Sequence, residues 1–217
     1  AEAFVIADVL SIYGEEHDRT AGSLNSLAAA LRDLGALDEA IGLYRETLAI
    51  DRRVLGDAHP FVATDRVNLA SALTERGGPG DLAAARKELD AAAALQIEHL
   101  PAESPTHALR LVESALLHLR RGDAGAAEAD ARRAVAHRER HFPGESARTA
   151  YGRAVLGAAL LARGAREEAL ALLGPAHRRL VEELGPEARY AQSVGAWLDR
   201  ARAADALERA STSAGAP

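Results

Sequence analysis

A glycine that returns at a near-constant interval narrows the possible folds more than any other feature. Gly35, Gly77, Gly122 and Gly164 lie 42, 45 and 42 residues apart. A second ladder runs beside the first: Ala40, Ala85, Ala127 and Ala169, at intervals of 45, 42 and 42. A single insertion of three residues, Gly78-Pro-Gly80, reconciles the two. Flanking segments repeat as well. Tyr13-Gly-Glu-Glu-His17 matches Leu55-Gly-Asp-Ala-His59, and Asn25-Ser-Leu-Ala28 matches Val67-Asn-Leu-Ala70. Self-similarity at this period marks a repeat architecture, in which each unit buries its apolar face against its neighbours.

Each unit reads as two helices. Leu24, Leu27, Ala28, Leu31 and Leu34 fall on one helical face, and Gly35 then ends the helix as glycine does at a left-handed cap. Leu37, Ala40, Ile41, Tyr44 and Leu48 make the stripe of the second helix. Pro60 and Pro105 occupy first-turn positions, where a missing N–H costs little. The alanine ladder suits close helix crossings, which admit only small side chains. Hydrophobic residues make up 48% of the chain but aromatics only 4%, a balance that favours packed helices over strands.

The predicted helices are 2–14, 19–34 with 37–55, 60–76 with 81–99, 105–121 with 124–141, 146–163 with 166–184, and about 187–209. The corresponding organisation is one array over 1–210. It comprises a half repeat at 1–14, helix-pair repeats at 15–56, 57–101, 102–143 and 144–185, and a capping helix at 186–210. That last helix carries Val194, Trp197, Leu198 and Leu207. The small, polar stretch 211–217 is expected to be disordered. The start inside a repeat, and the absence of any Met, lead to the expectation that this is part of a longer protein.

The segments Gly35-Ala-Leu-Asp-Glu-Ala40, Tyr44, Leu48-Ala-Ile50, Val54-Leu-Gly-Asp-Ala-His-Pro60, Val67-Asn-Leu-Ala70 and Gly164-Ala-Arg-Glu-Glu-Ala169 resemble the tetratricopeptide repeat family. The likeness is to its 42-residue variety, found in kinesin light chains and many bacterial regulatory proteins. The resemblance extends over about residues 1–185. It implies an all-α fold, a right-handed superhelical solenoid of antiparallel helix pairs whose first helices line a groove. On that register the partner-binding residues are expected to include Asn25, Arg32, Val67, Asn68, Ser71, Leu109, Val112, Leu116, Tyr151 and Ala154, with Ala29 and Ala158 beside them. The Asn pair that such repeats often place on the groove side is here Asn25-Ser26, then Val67-Asn68, Val112-Glu113 and Ala154-Val155. The polar ladder therefore stops after the second repeat.

The expected function is a protein- or peptide-binding scaffold or regulatory module within a larger signalling protein. The alternative is a small-ligand or peptide-signal sensor that controls an attached catalytic domain, such as a protein kinase or ATPase, by family analogy. Self-association through Phe4, Val5 and Leu10 of the half repeat is a further expectation. The formal charge of −6 argues against nucleic acid as a partner. No stretch is apolar enough to span a membrane, and residues 1–10 lack the pattern of a signal peptide. With no Cys, thiolate chemistry and disulfides are excluded; the cytoplasm is the expected compartment.

No enzymatic role, cofactor or metal is expected. His137 and His141 share a helix face, but Arg138 stands where a zinc protease has Glu, so the pair reads as two surface histidines. His118 lies in an apolar run and reads as a satisfied, partly buried histidine. His17 and His59 recur at one repeat position and read as turn residues. Glu15-Glu16, Glu167-Glu168 and Glu182-Glu183 are adjacent pairs, which do not face each other on a helix. Gly77-Gly-Pro-Gly80 follows a helix and lacks the Lys-Ser/Thr of a phosphate cradle.

Overall fold

The glycine ladder sets where each first helix stops. In the computed structural model, which describes residues 18–214, Gly35, Gly77, Gly122 and Gly164 have φ of 81°, 63°, 79° and 83°. At Gly35 the cap is a Schellman pair: Gly35 N–H donates to Arg32 O at 3.0 Å and Ala36 N–H to Leu31 O at 2.9 Å. Gly164 and Ala165 repeat that geometry. Replacing Gly77 with Ala is expected to cost about 1 kcal/mol through the left-handed conformation alone. A Cβ there would also stand 2.6 Å from Arg120 Nη2. Thermal denaturation should register the change as a Tm lower by a few degrees.

Among the described residues the structure is nine helices and no strands: α1 (Asp18–Asp33), α2 (Leu37–Val54), α3 (Pro60–Arg76), α4 (Asp81–His99), α5 (Pro105–Arg120), α6 (Ala124–His141), α7 (Ala147–Ala162), α8 (Arg166–Leu184) and α9 (Arg189–Ala214). Each expected helix of residues 19–184 falls within two residues of its predicted bounds. The last helix runs on to Ala214, past the small polar residues expected to be disordered. The first helix breaker after Leu198 is Gly215, and Ala-rich sequence up to that point favours helix. The predicted half repeat 1–14, with Phe4, Val5 and Leu10, lies outside the described residues, as do His17 and the side chain of Leu207.

The described helices group into two compact units that divide between Arg121 and Gly122. The core of the first is built on Ile41, Tyr44, Leu48, Val62, Leu73 and Leu89. That of the second is built on Leu160, Leu173, Leu180, Val194 and Leu198. In the pairs α1–α2, α3–α4 and α7–α8 the alanine ladder lies at the crossing. Ala40, Ala85 and Ala169 are fully buried, as are Ala28 and Ala70. Ala127, the remaining rung, is fully buried too. Gly157 takes the place of Ala28 and Ala70 in α7, where a Cβ would come 2.9 Å from Leu173 Cγ and 3.3 Å from Ala169 O. Helix axes this close tolerate only hydrogen or methyl side chains.

The insertion is absorbed by one ion cluster. Asp81 accepts from Gly78 N–H at 2.8 Å and from Arg76 Nε and Nη2 at 2.8 and 2.7 Å. Arg76 Nη1 also reaches Asp38 at 2.6 Å. The Arg76 guanidinium holds the buried Asp81 carboxyl below the usual carboxylate range. At α3, His59 is the N-cap and accepts from Phe61 N–H at 3.2 Å, which fits a turn role at this repeat position.

A third ladder emerges only in three dimensions. Eleven residues past each ladder alanine stand Asp51, Gln96, Arg138 and Leu180, with exposures of 4%, 0%, 8% and 0%. The repeat position on the following first helix is Asp65, Arg110, Gly152 and Val194. The one buried place thus holds an acid pair, an amide with arginine, an arginine opposite glycine, and an aliphatic pair.

Candidate partner-binding face

On the first helices the expected partner residues divide between a buried stripe and positions beside it. On α3 the fully buried stripe is Ala63, Val67 and Ala70; on α5 the buried stripe is Ala108, Val112 and Ala115; on α7 it includes Ala150 and Ala154. Val67, Val112 and Ala154 therefore lie in the core stripe, and their side chains have no surface to offer a partner. The physical reason is the i, i+3, i+4 spacing that binds them to their buried neighbours. On α3 the more open position is the next residue, Asn68, whereas Glu113 and Val155, which follow Val112 and Ala154, are buried as well.

Asn25, Asn68, Leu109, Leu116 and Tyr151 are only partly buried, whereas Arg32 and Ser71 are 8% and 7% exposed. In the first unit Asn25 on α1 and Asn68 on α3 are half-buried, and Asn68 Nδ2 donates to Asn25 Oδ1 at 3.0 Å. Among the described residues this leaves the Asn25 amide donors and the Asn68 carbonyl without a partner. Arg32 Nη1 donates to Ser71 Oγ at 2.9 Å, and its Nε lies 3.8 Å from Glu75 Oε2. Glu75 was not among the expected residues. Its signal was present, since it follows Asn68 and Ser71 at helical spacing on one face. Leu109 packs partly buried against the first core, and Leu116 is half-buried on α5.

In the second unit Tyr151 of α7 is half-buried. Its ring centroid lies 4.5 Å from that of Tyr190 and 6.3 Å from that of Trp197, both on α9. Arg189 Cζ stands 4.5 Å over the Tyr190 ring, within the range of a cation–π contact. Tyr190 escaped the sequence reading because its partner ring is nearly forty residues distant in the chain.

Of the histidines, His137 and His141 have ring centroids 4.7 Å apart with their planes tilted by 47°, and the His137 ring centroid lies 6.3 Å from that of Phe142. Among the described residues no group of three or more His, Asp or Glu is placed to hold a metal ion. His118 is half-buried. No described helix is long and apolar enough to cross a membrane.

Comparison with known proteins points in one direction. Residues 20–61 match the family described as "Tetratricopeptide repeat". Among solved structures, the putative kinesin light chain of Podosopora anserina with nearly identical TPR-like repeats is 24% identical. It aligns over 83% of this chain and 84% of that one, with a TM-score of 0.58. A singly substituted form of that protein gives the same identity and coverage with a TM-score of 0.60. BtubC (BKLC) from P. vanneervenii is 21% identical over 83% of this chain and 71% of that one, with a TM-score of 0.63. No curated protein matches the sequence.

Proposed function

We propose that this chain, whose residues 20–61 match a tetratricopeptide repeat and whose fold is similar to that of kinesin-light-chain-like repeat proteins, binds an extended peptide segment of a protein partner along the first-helix face of its first unit. The repeat fold supports protein interaction in general. The observation that supports the finer reading is the Asn25–Asn68 pair. One bond joins the two amides, and the groups left over are a donor and an acceptor side by side. A peptide backbone offers the complementary acceptor and donor, so the pair can set the register of a bound strand. Arg32, Ser71 and Glu75 extend the polar run. Leu109 and Leu116 on α5 supply apolar contact.

A solenoid of this kind presents similar side chains from successive helix pairs, which suits a chain-like ligand better than a small one. The test is capture of partners on the immobilised chain, followed by titration of the isolated binding segment. Asn25→Ala/Asn68→Ala is expected to weaken binding roughly ten-fold, about the value of one or two lost hydrogen bonds, with the circular dichroism unchanged. Equal affinity for variant and wild type would remove these residues from the site. A chain that binds no protein but gains Tm with a metabolite would favour the small-ligand sensor instead.

A further inference from the structure

The chain has one Trp, four Tyr and three Phe. The Trp and two of the Tyr meet in the second unit. Tyr151 on α7 has its ring centroid 4.5 Å from that of Tyr190 and 6.3 Å from that of Trp197, both on α9. All three pack against the second core and stay half-exposed. The helix pairs do not require aromatic residues here. At the repeat place of Tyr151 stand Gly22, Thr64 and Leu109; at that of Trp197, Ser26, Asn68, Glu113 and Val155; at that of Tyr190, Arg19, Phe61, Thr106 and Arg148. Half-exposed rings gathered at one place have the composition of a recognition surface, in an array whose core is otherwise Ala and Leu.

Ring geometry limits the occupant. The Tyr151 and Trp197 planes are 24° from parallel. A flat side chain inserted between two rings needs about 7 Å, two contacts of about 3.5 Å each. At 6.3 Å the gap admits no aromatic anchor, so a ligand has to lie across the rings. Tyr190, tilted by 57° to Tyr151, gives this shelf a corner. Tyr190 and Trp197 are two turns apart on α9, about 10 Å along the helix. Prolines at i and i+3 of a polyproline II helix are about 9 Å apart. Such a helix is extended before it binds, loses little entropy, and packs its pyrrolidine rings on aromatic faces.

Charge narrows the partner further. Arg189 Cζ stands 4.5 Å over the Tyr190 ring. The exposed Arg148 lies one turn before Tyr151 on α7. Two cations beside the rings favour an acidic residue next to the prolines. We propose that Tyr151, Tyr190 and Trp197 form a docking surface for a proline-rich, acidic segment of a protein partner in the polyproline II conformation. The surface belongs to the second unit and stands independently of the Asn25–Asn68 pair.

The test titrates the whole chain with a capped Glu-Pro-Pro-Ala-Pro-Pro-Glu peptide. Trp197, the only Trp in the chain, reports binding through its own fluorescence, and calorimetry gives a second readout. Saturable binding with a Kd on the order of 10–100 μM is expected. Replacing every Pro of the peptide by Ala should weaken binding about ten-fold or more, and exchanging its Glu for Lys several-fold. Tyr151→Leu installs the residue that the preceding repeat carries as Leu109 and should lose about ten-fold with the circular dichroism unchanged. Arg148→Gln, which alters an exposed side chain, should narrow the preference for the Glu peptide over the Lys peptide. No heat and no fluorescence change with the proline peptide, equal binding of the Ala peptide, or full affinity in Tyr151→Leu would overturn the proposal. A proline-free, Phe-bearing peptide that binds more tightly would also overturn it, and would assign the surface to an aromatic anchor.

Discussion

Asp65→Asn is expected to stabilise the first unit at neutral and alkaline pH and to flatten its pH dependence. Asp51 and Asp65 are 4% and 5% exposed, and their carboxyls share a hydrogen bond, which requires a proton on one of them. Burial, followed by the Asp51 charge, pushes Asp65 up from 3.8 to about 8. The sign follows from proton counts. Between about pH 4 and pH 8 the folded chain holds a proton that the unfolded chain has lost. Stability from this pair is therefore complete below pH 4 and declines as pH rises through 8. The decline across the window is on the order of 5 kcal/mol. Asn is neutral throughout and keeps a donor for Asp51, so the variant should exceed the wild type by about 1–3 kcal/mol at pH 8. Urea denaturation at a series of pH values measures it. A wild-type curve that rises with pH across that window would contradict the shared proton.

Tyr44→Ala should produce the largest single loss. Tyr44 is among the largest fully buried side chains, packed in the first core with Ile41, Leu48 and Leu73. Truncating an aromatic in a packed core leaves a cavity that neighbours fill only partly, at about 3–5 kcal/mol. Stability in a repeat protein is carried by each repeat and its nearest neighbours. Hydrogen exchange should therefore show the greatest loss of protection in α2 and α3, the helix of Tyr44 and the next one along. Protection lost equally in α8 and α9 would count against that local account.

Residues whose role depends on their own backbone or on near neighbours are readable in the chain. Gly35 and its three counterparts needed a left-handed φ, and they have it. Ala40, Ala85, Ala127 and Ala169 needed to be small, and all four are fully buried. The candidate face was readable only to within one residue. Periodicity puts Val67 and Asn68 side by side but does not say which of the two borders the core, because a helical residue turns through about 100°. The buried neighbours Ala63 and Ala70 decide that, and they place Val67 inside.

The sequence by itself determined the helix-pair repeat, its period, its single insertion and the start and stop of the helices between residues 18 and 184. Those properties follow from propensity, capping and spacing along one chain. Only the tertiary structure decided which polar groups meet: Asn25 with Asn68, Arg32 with Ser71, and Asp51 with Asp65. It alone decided that, among the described residues, the buried Arg138 Nε has no hydrogen-bond partner. The rung could have been aligned from the alanine ladder, since Asp51, Gln96, Arg138 and Leu180 stand at one register. Alignment, however, states only that four chemically unlike residues share a place. Whether a charge there is answered depends on side chains brought in from another helix, and burial strengthens every such interaction by removing water.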